Sequence, residues 1–162
     1  MDSCVVIDIL EGEKVKNPWI VHLTRDAQAG KIRLMASAFA ACEVSHIADR
    51  ADDRKEIIAF FRRPDIDVFP LDIRLADYVR EIIGLAAGLK PADAIHVATA
   101  VLHNATVLLT RDAGGGRRGK SVLALDGLPL PRGKRLRIMT PQHFDEMMAK
   151  AENKPLINGA EE

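Results

Sequence analysis

A chain of 162 residues, 48% of them hydrophobic, is long enough to bury one core and too short for two ordinary domains with a linker. Its 23 basic and 23 acidic residues cancel, so no overall basic field marks a nucleic-acid binder and no overall acidic field marks a solvating tail. Aromatic residues make up only 4%, too few to spread base-stacking platforms over a sheet, so any nucleic acid would be held by its backbone and shape.

Residues 2–10 are an apolar run, VVIDIL, that starts from an acid with only Met1 before it. Residues 18–29 predict a helix: Asn17 caps it, Pro18 takes the first helical position, Trp19, Ile20 and Leu23 share one face, and Gly30 stops it. A short strand follows over residues 32–36, and Ser37 is placed to cap a helix running through Glu43 to about Ala48. Asp52 or Asp53 opens another helix, carrying Ile57, Ile58, Phe60 and Phe61, which must end before Pro64 because the residue ahead of proline is pushed out of the helical region.

The segment DVFPL, residues 67–71, reads as a strand, and a helix over residues 73–87 closes at Gly88. Lys90 and Pro91 start the helix PADAIHVATAVLHN, TVLL at 106–109 is a strand ending at Thr110, and residues 136–139 make a last strand. Thr140 and Pro141 then cap and start a helix holding Phe144, Met147 and Met148. Two stretches fit no element: the Gly/Arg segment 114–120 and the proline-rich LDGLPLPRGKR at 125–135. Residues 1–150 thus form a single domain, and 151–162 a polar tail that frays.

Short apolar strands alternating with helices predict an α/β class fold with a doubly wound, mostly parallel sheet, whose ligands sit at the carboxyl ends of the strands. Cys4 and Cys42 form neither a disulfide framework nor a zinc-ligand spacing and read as reduced packing residues. No stretch reaches the roughly 18 to 20 apolar residues needed to span a bilayer, and an acid stands where a signal peptide would carry basic residues. The expected location is the cytoplasm.

Four acids fall where this architecture converges: Asp2 beside what remains of a first strand, Glu43 within the helix after the second, Asp93 in the first turn of PADAIH, and Asp112 just past TVLLT. Hard oxygen donors without His or Cys among them suit Mg²⁺ or Mn²⁺, which would neutralise an otherwise self-repelling cluster. Asp93 also gains about 0.3 to 1 kcal/mol for its ionised form from its helix dipole. Aspartates are common at helix starts for capping alone, so the combination of positions carries the argument, not any single acid.

The stretches MDSCVVID, ACEVSH, KPADAIHVATA and LLTRDAGG, in that order, resemble the PIN-domain ribonucleases, most closely the VapC-like toxins of VapBC toxin–antitoxin pairs. The resemblance spans residues 2–145 and closes on RIMTPQHF, and PADAIHVATA followed by a strand and TRD is its most specific part. It implies a three-layer PIN-like fold with four to five strands, helices on both faces and the first strand truncated or nearly absent. It implies that Asp2, Glu43, Asp93 and Asp112 are the catalytic, metal-binding quartet, and that Ser3 and Thr110 orient carboxylates or metal-bound water. The implied activity is Mg²⁺- or Mn²⁺-dependent hydrolysis of RNA phosphodiesters, leaving 5′ phosphate and 3′ hydroxyl ends, with no histidine required. Of His22, His46, His96, His103 and His143, only His96 lies near a motif acid, as a candidate substrate contact.

Two departures from the family pattern bear on the site. Only Met1 precedes Asp2, where the family places an apolar central strand, and Cys4 stands where Asn is common. Weakened activity, or a need for a partner to order the amino terminus, is the expectation; the alternative reading is a catalytically weak PIN-like module that binds RNA or protein. Arg111, Arg117, Arg118 and Lys120 flank Asp112 and three glycines, Gly114 to Gly116, and are candidate RNA-backbone contacts as well as a plain solvated loop. Arg132, Lys134, Arg135 and Arg137 read first as a solvated charge run. The resemblance also implies a cognate antitoxin covering the acidic pocket, and a homodimer.

Overall fold

The computed structural model describes residues 1–12, 17–44, 54–112 and 120–152. Its first element is a helix, α1 (Ser3–Glu11), for which Asp2 is the extended N-cap residue; the Asp2 carbonyl accepts from the amides of Val5 and Val6 at 3.1 and 3.3 Å. The helix ends at Gly12, in the left-handed region at φ 65 that glycine adopts without steric cost. Helix α2 (Pro18–Gln28) starts on its proline as expected and buries Trp19, Ile20 and Leu23. There follow β1 (Leu34–Ser37), α3 (Ala38–Glu43), α4 (Arg54–Phe61), β2 (Ile66–Phe69), α5 (Ile73–Leu85), α6 (Pro91–Leu102) and β3 (Val107–Leu109). Two 3-10 turns, Leu123–Leu125 and Pro131–Gly133, occupy most of the proline-rich stretch, before β4 (Arg137–Met139) and α7 (Pro141–Glu152).

Ser37 caps α3 by accepting from the Ala40 amide, and Asp72 caps α5 by accepting from the Leu75 amide at 2.8 Å. Helix α7 runs two residues past Lys150, so its last turn takes in Ala151 and Glu152, which the sequence placed in the tail. The expected extension of α3 to Ala48, Asp52, Asp53 and residues 153–162 lie outside the described residues.

Among the described residues the strands pair as two parallel ribbons, not as one sheet of four or five. Leu34 to Ser37 face Ile66 to Phe69 in one, and Val107 to Leu109 face Arg137 to Met139 in the other. Met1 and Asp2 lie between them: the Met1 amine donates to the Met35 carbonyl at 2.5 Å, and the Asp2 amide donates to the Leu109 carbonyl at 3.0 Å. Consecutive donors reaching neighbours on opposite sides is the pattern of a strand inside a sheet, but two residues are too few to join the ribbons. Beside Met1 the gap is a cleft of about 630 Å³, walled by β1 and β3 and floored by Ala100, Met139, Phe144, Met147 and Met148.

Strand alternation divides the core in two. Leu108 and Ile138 point into a cluster with Tyr78, Ile82, Val97 and Ala98 of α5 and α6. Leu109 and Met139 point the other way, into a cluster with Val5, Val6, Trp19 and Ile20 of α1 and α2. Each fully buried aliphatic side chain contributes about 1.5–3 kcal/mol, so the helices are clamped on the strands from both faces. The Tyr78 hydroxyl meets its polar need by donating to the Pro131 carbonyl at 3.0 Å, which ties α5 to the second 3-10 turn.

Candidate functional site

The carboxyl ends of β1 and β3, the start of α1 and the first turn of α6 share one edge of the molecule, and the four candidate acids are carried there. Asp2 sits at the N-cap of α1 but makes no cap hydrogen bond with its side chain. Instead its Oδ2 accepts from the Thr110 hydroxyl at 2.6 Å and from the Cys4 thiol at 3.5 Å. That placement separates it from Asp72, whose carboxylate is spent on a helix cap, and from Asp65, Asp67 and Glu81, which pair with arginines.

Thr110 is fully buried and serves both sides of the edge. Its hydroxyl donates to Asp2 and accepts from the Asp112 amide at 3.0 Å, while its own amide donates to the Met139 carbonyl at 3.1 Å. Asp112 is further held by the Val122 amide, which donates to Oδ2 at 3.3 Å, and by the Ser121 hydroxyl, which donates to its carbonyl at 2.5 Å. Cys4 adds a second bridge, because its sulfur accepts from the Arg111 amide at 3.2 Å. Burial first, and then the neighbouring Asp2 charge, push this thiol up to about 11. The residue standing in place of the common Asn therefore organises the Asp2 carboxylate itself.

Asp93 shows what the edge costs. Burial first, and then the charges of Asp112 and Asp2, hold its carboxyl above the usual range, against smaller opposing effects from Lys90 and His96. Glu43 is shifted the other way: hydrogen bonds from His96 and Ser3 outweigh its partial burial and hold it below the usual carboxylate range. Its Oε2 lies 2.8 Å from Nε2 of His96 and also accepts from the Ser3 hydroxyl. His96 is 3% exposed, three positions after Asp93 on α6, and its Nε2 lies 3.6 Å from Asp2 Oδ1. Its other ring nitrogen, Nδ1, lies 3.2 Å from the Ser37 hydroxyl.

The candidate basic residues are spread more widely. The Arg111 guanidinium reaches back to Asp8, buried on α1, at 2.7 Å. Lys120 is exposed, with its amide donating to the Gly88 carbonyl at 3.0 Å. Arg117 and Arg118 lie outside the described residues, as do Gly114, Gly115, Gly116 and His46. Of the second basic run, Arg132 pairs with Glu81 and Arg137 with Asp126, the reading expected for a solvated charge run.

Sequence reasoning passed over three participants. Ser37 looks like a helix cap and nothing more, Cys4 like packing, and His96 like an occasional substrate contact. Only the spacing of three between Asp93 and His96, less than one helical turn, hinted that both would face the same edge.

The donor set at this edge is all oxygen, and the mutual repulsion recorded in Asp93 is charge that a hard divalent cation would neutralise, so the residues fit Mg²⁺ or Mn²⁺. Among the described residues no three of these groups converge tightly enough to form a ready cage. No helix among them is long and apolar enough to cross a membrane.

Neither the curated proteins nor the solved structures contain a match to the chain. The profile of the PIN domain does match, over residues 1–119, which takes in α1 to α6, β3 and all four edge acids. PIN domains as a class are α/β nucleases that act on RNA and typically bind divalent metals. With nearly three quarters of its length matched, this chain belongs to the PIN domain family.

Proposed function

We propose that this chain is a metal-dependent endoribonuclease that hydrolyses RNA phosphodiesters with Mg²⁺ or Mn²⁺, and that it acts as the VapC-like toxin of a toxin–antitoxin pair. The observation that carries the reading is the carboxylate edge, where Thr110 joins Asp2 to the Asp112 backbone and where burial first, and then the charges of Asp112 and Asp2, hold the Asp93 carboxyl above its usual range. Asp2, Asp93 and Asp112, with Glu43 beside them, would hold the ion. Bound there, it would lower the pKa of a water and screen charge on the phosphoryl oxygens. Thr110 keeps Asp2 and Asp112 in register, Cys4 and Ser3 reinforce the first turn of α1, and Arg111, Arg117, Arg118 and Lys120 are the proposed contacts to the RNA backbone. The cognate antitoxin would cover this acidic pocket, and the chain would work as a homodimer in the cytoplasm.

The test is cleavage of total RNA by the purified chain with Mg²⁺ or Mn²⁺, alongside growth arrest on induction in a bacterial host. Asp93→Asn, shown folded by circular dichroism, is expected to abolish both; undiminished cleavage and arrest would remove the proposal. The other reading is a PIN-like module that binds RNA or protein without cutting. Tight RNA binding by the wild-type chain, with no cleavage at any Mn²⁺ concentration, would select that reading.

A further inference from the structure

Four separate parts of the chain meet around one imidazole. His96 belongs to α6, Ser37 ends β1 and caps α3, Glu43 ends α3, and Ser3 begins α1. The chemistry of those partners decides what Nε2 must carry. Nε2 faces acceptors: Oε2 of Glu43 at 2.8 Å, Oδ1 of Asp2 at 3.6 Å, and the Ser3 oxygen at 3.2 Å, whose own hydrogen is committed to Glu43. A bare Nε2 would set a lone pair against carboxylate oxygens around a ring that is itself buried, so Nε2 bears hydrogen. Nδ1 lies 3.2 Å from the Ser37 hydroxyl, whose oxygen also accepts from the Ala40 amide at 3.2 Å, so the cap of α3 anchors the far side of the ring.

We propose that His96 is a positioning residue: anchored at Nδ1 by the Ser37 hydroxyl, it donates from Nε2 and, together with Ser3, saturates Oε2 of Glu43, leaving Oε1 as the oxygen this carboxylate offers to the acidic edge. The cap of α3 and the ligand at the other end of the same six-residue helix are thereby coupled through a side chain of α6. A carboxylate free to rotate could present either oxygen, or both. One with a saturated Oε2 presents a single oxygen in a fixed direction, which is how outer hydrogen bonds tune a metal ligand. This rests on the reading of the edge as a metal-dependent nuclease site, but the Nε2 proton and the aim of Glu43 can be measured without metal or substrate.

The experiment uses the full chain. Long-range proton–nitrogen spectra of the imidazoles in EDTA should show His96 protonated at Nε2, with both ring-nitrogen signals displaced in Ser37→Ala. The side-chain carboxyl carbon signal of Glu43 should move in His96→Leu. Mn²⁺ binding followed by electron paramagnetic resonance should weaken about 10- to 100-fold in His96→Leu. It should recover to within about threefold of wild type in His96→Gln, whose amide can still donate to Oε2. A core variant of similar stability loss, Val97→Ala, should leave Mn²⁺ affinity unchanged. A bare Nε2, an unmoved Glu43 signal, or His96→Gln as weak as His96→Leu would overturn the proposal. Should the wild-type chain neither bind Mn²⁺ nor cut RNA, the nuclease reading fails, and the spectra in EDTA still decide the role of His96.

Discussion

The Thr110 hydroxyl donates a 2.6 Å hydrogen bond to Oδ2 of Asp2, joining the end of β3 to the start of α1 across 108 positions of sequence. The same oxygen accepts from the Asp112 amide, so one fully buried side chain sets the spacing of two edge acids.

Thr110→Val keeps the shape and removes both hydrogen bonds. Leaving a carboxylate oxygen and an amide without this partner costs about 1–3 kcal/mol, read as a lower urea midpoint at unchanged slope. RNA cleavage should fall about 10- to 100-fold, and Thr110→Ser should restore most of both losses. A valine variant as active as wild type would show that Asp2 needs no such anchor.

Asp93→Asn is expected to separate function from stability. An acid whose folded pKa is raised opposes folding as pH climbs through that value, because the native state holds the proton more tightly than the unfolded chain. Removing the charge should therefore stabilise the metal-free chain at neutral pH, by on the order of 0.5 kcal/mol once solvent screening is allowed for. Thermal melts in EDTA should show Asp93→Asn melting above wild type, and melts at pH 3, where both forms are uncharged, should show the advantage gone.

Met1 offers a pH signature of its own. Burial pulls its amine down from 8.0 to about 6, despite the opposing charge of Asp2. Between those values the unfolded chain binds more protons than the folded one, so stability rises with pH from about 6 to 8 and is lowest below 6. The full span is about 2 to 3 kcal/mol in the 162-residue chain. Acetylating the amine should flatten this slope in denaturant titrations. Four or five apolar residues attached ahead of Met1 should flatten it too and raise the midpoint, since the 630 Å³ cleft presents the edges of β1 and β3 to an extended segment. A polar attachment of equal length should give no such gain.

The two cysteines should react very differently. Cys42 is exposed, whereas the Cys4 thiol is raised from 9.0 to about 11, which lowers its thiolate fraction about a hundredfold relative to an ordinary cysteine. Iodoacetamide at neutral pH, followed by peptide mass spectrometry, should label Cys42 first, with Cys4 following only on denaturation.

The elements written most locally are legible in the order of residues alone. Pro18 and Pro91 at helix starts, Ser37 as a cap, Pro64 as a limit to α4, and the strands expected at 32–36 and 106–109, found at 34–37 and 107–109, all follow from backbone chemistry within a few residues. The positions of Asp2, Asp93 and Asp112 relative to strand ends and a helix start are of the same kind. How the strands assemble is not, because pairing is a long-range matter: among the described residues, four strands and a two-residue stub give two ribbons flanking a cleft instead of one continuous sheet.

The sequence by itself determined which side chains could serve a cation and on which elements they ride, because capping, proline and apolar periodicity act over a few residues. Only the tertiary structure decided what surrounds them. Thr110 holds Asp2, the Arg111 amide holds Cys4, and His96 ties Ser37 to Glu43 through contacts 53 to 108 positions apart. Hydrogen bonds of this kind depend on where whole elements pack, and packing is decided by the two buried clusters on either face of the strands, not by the residues beside each acid.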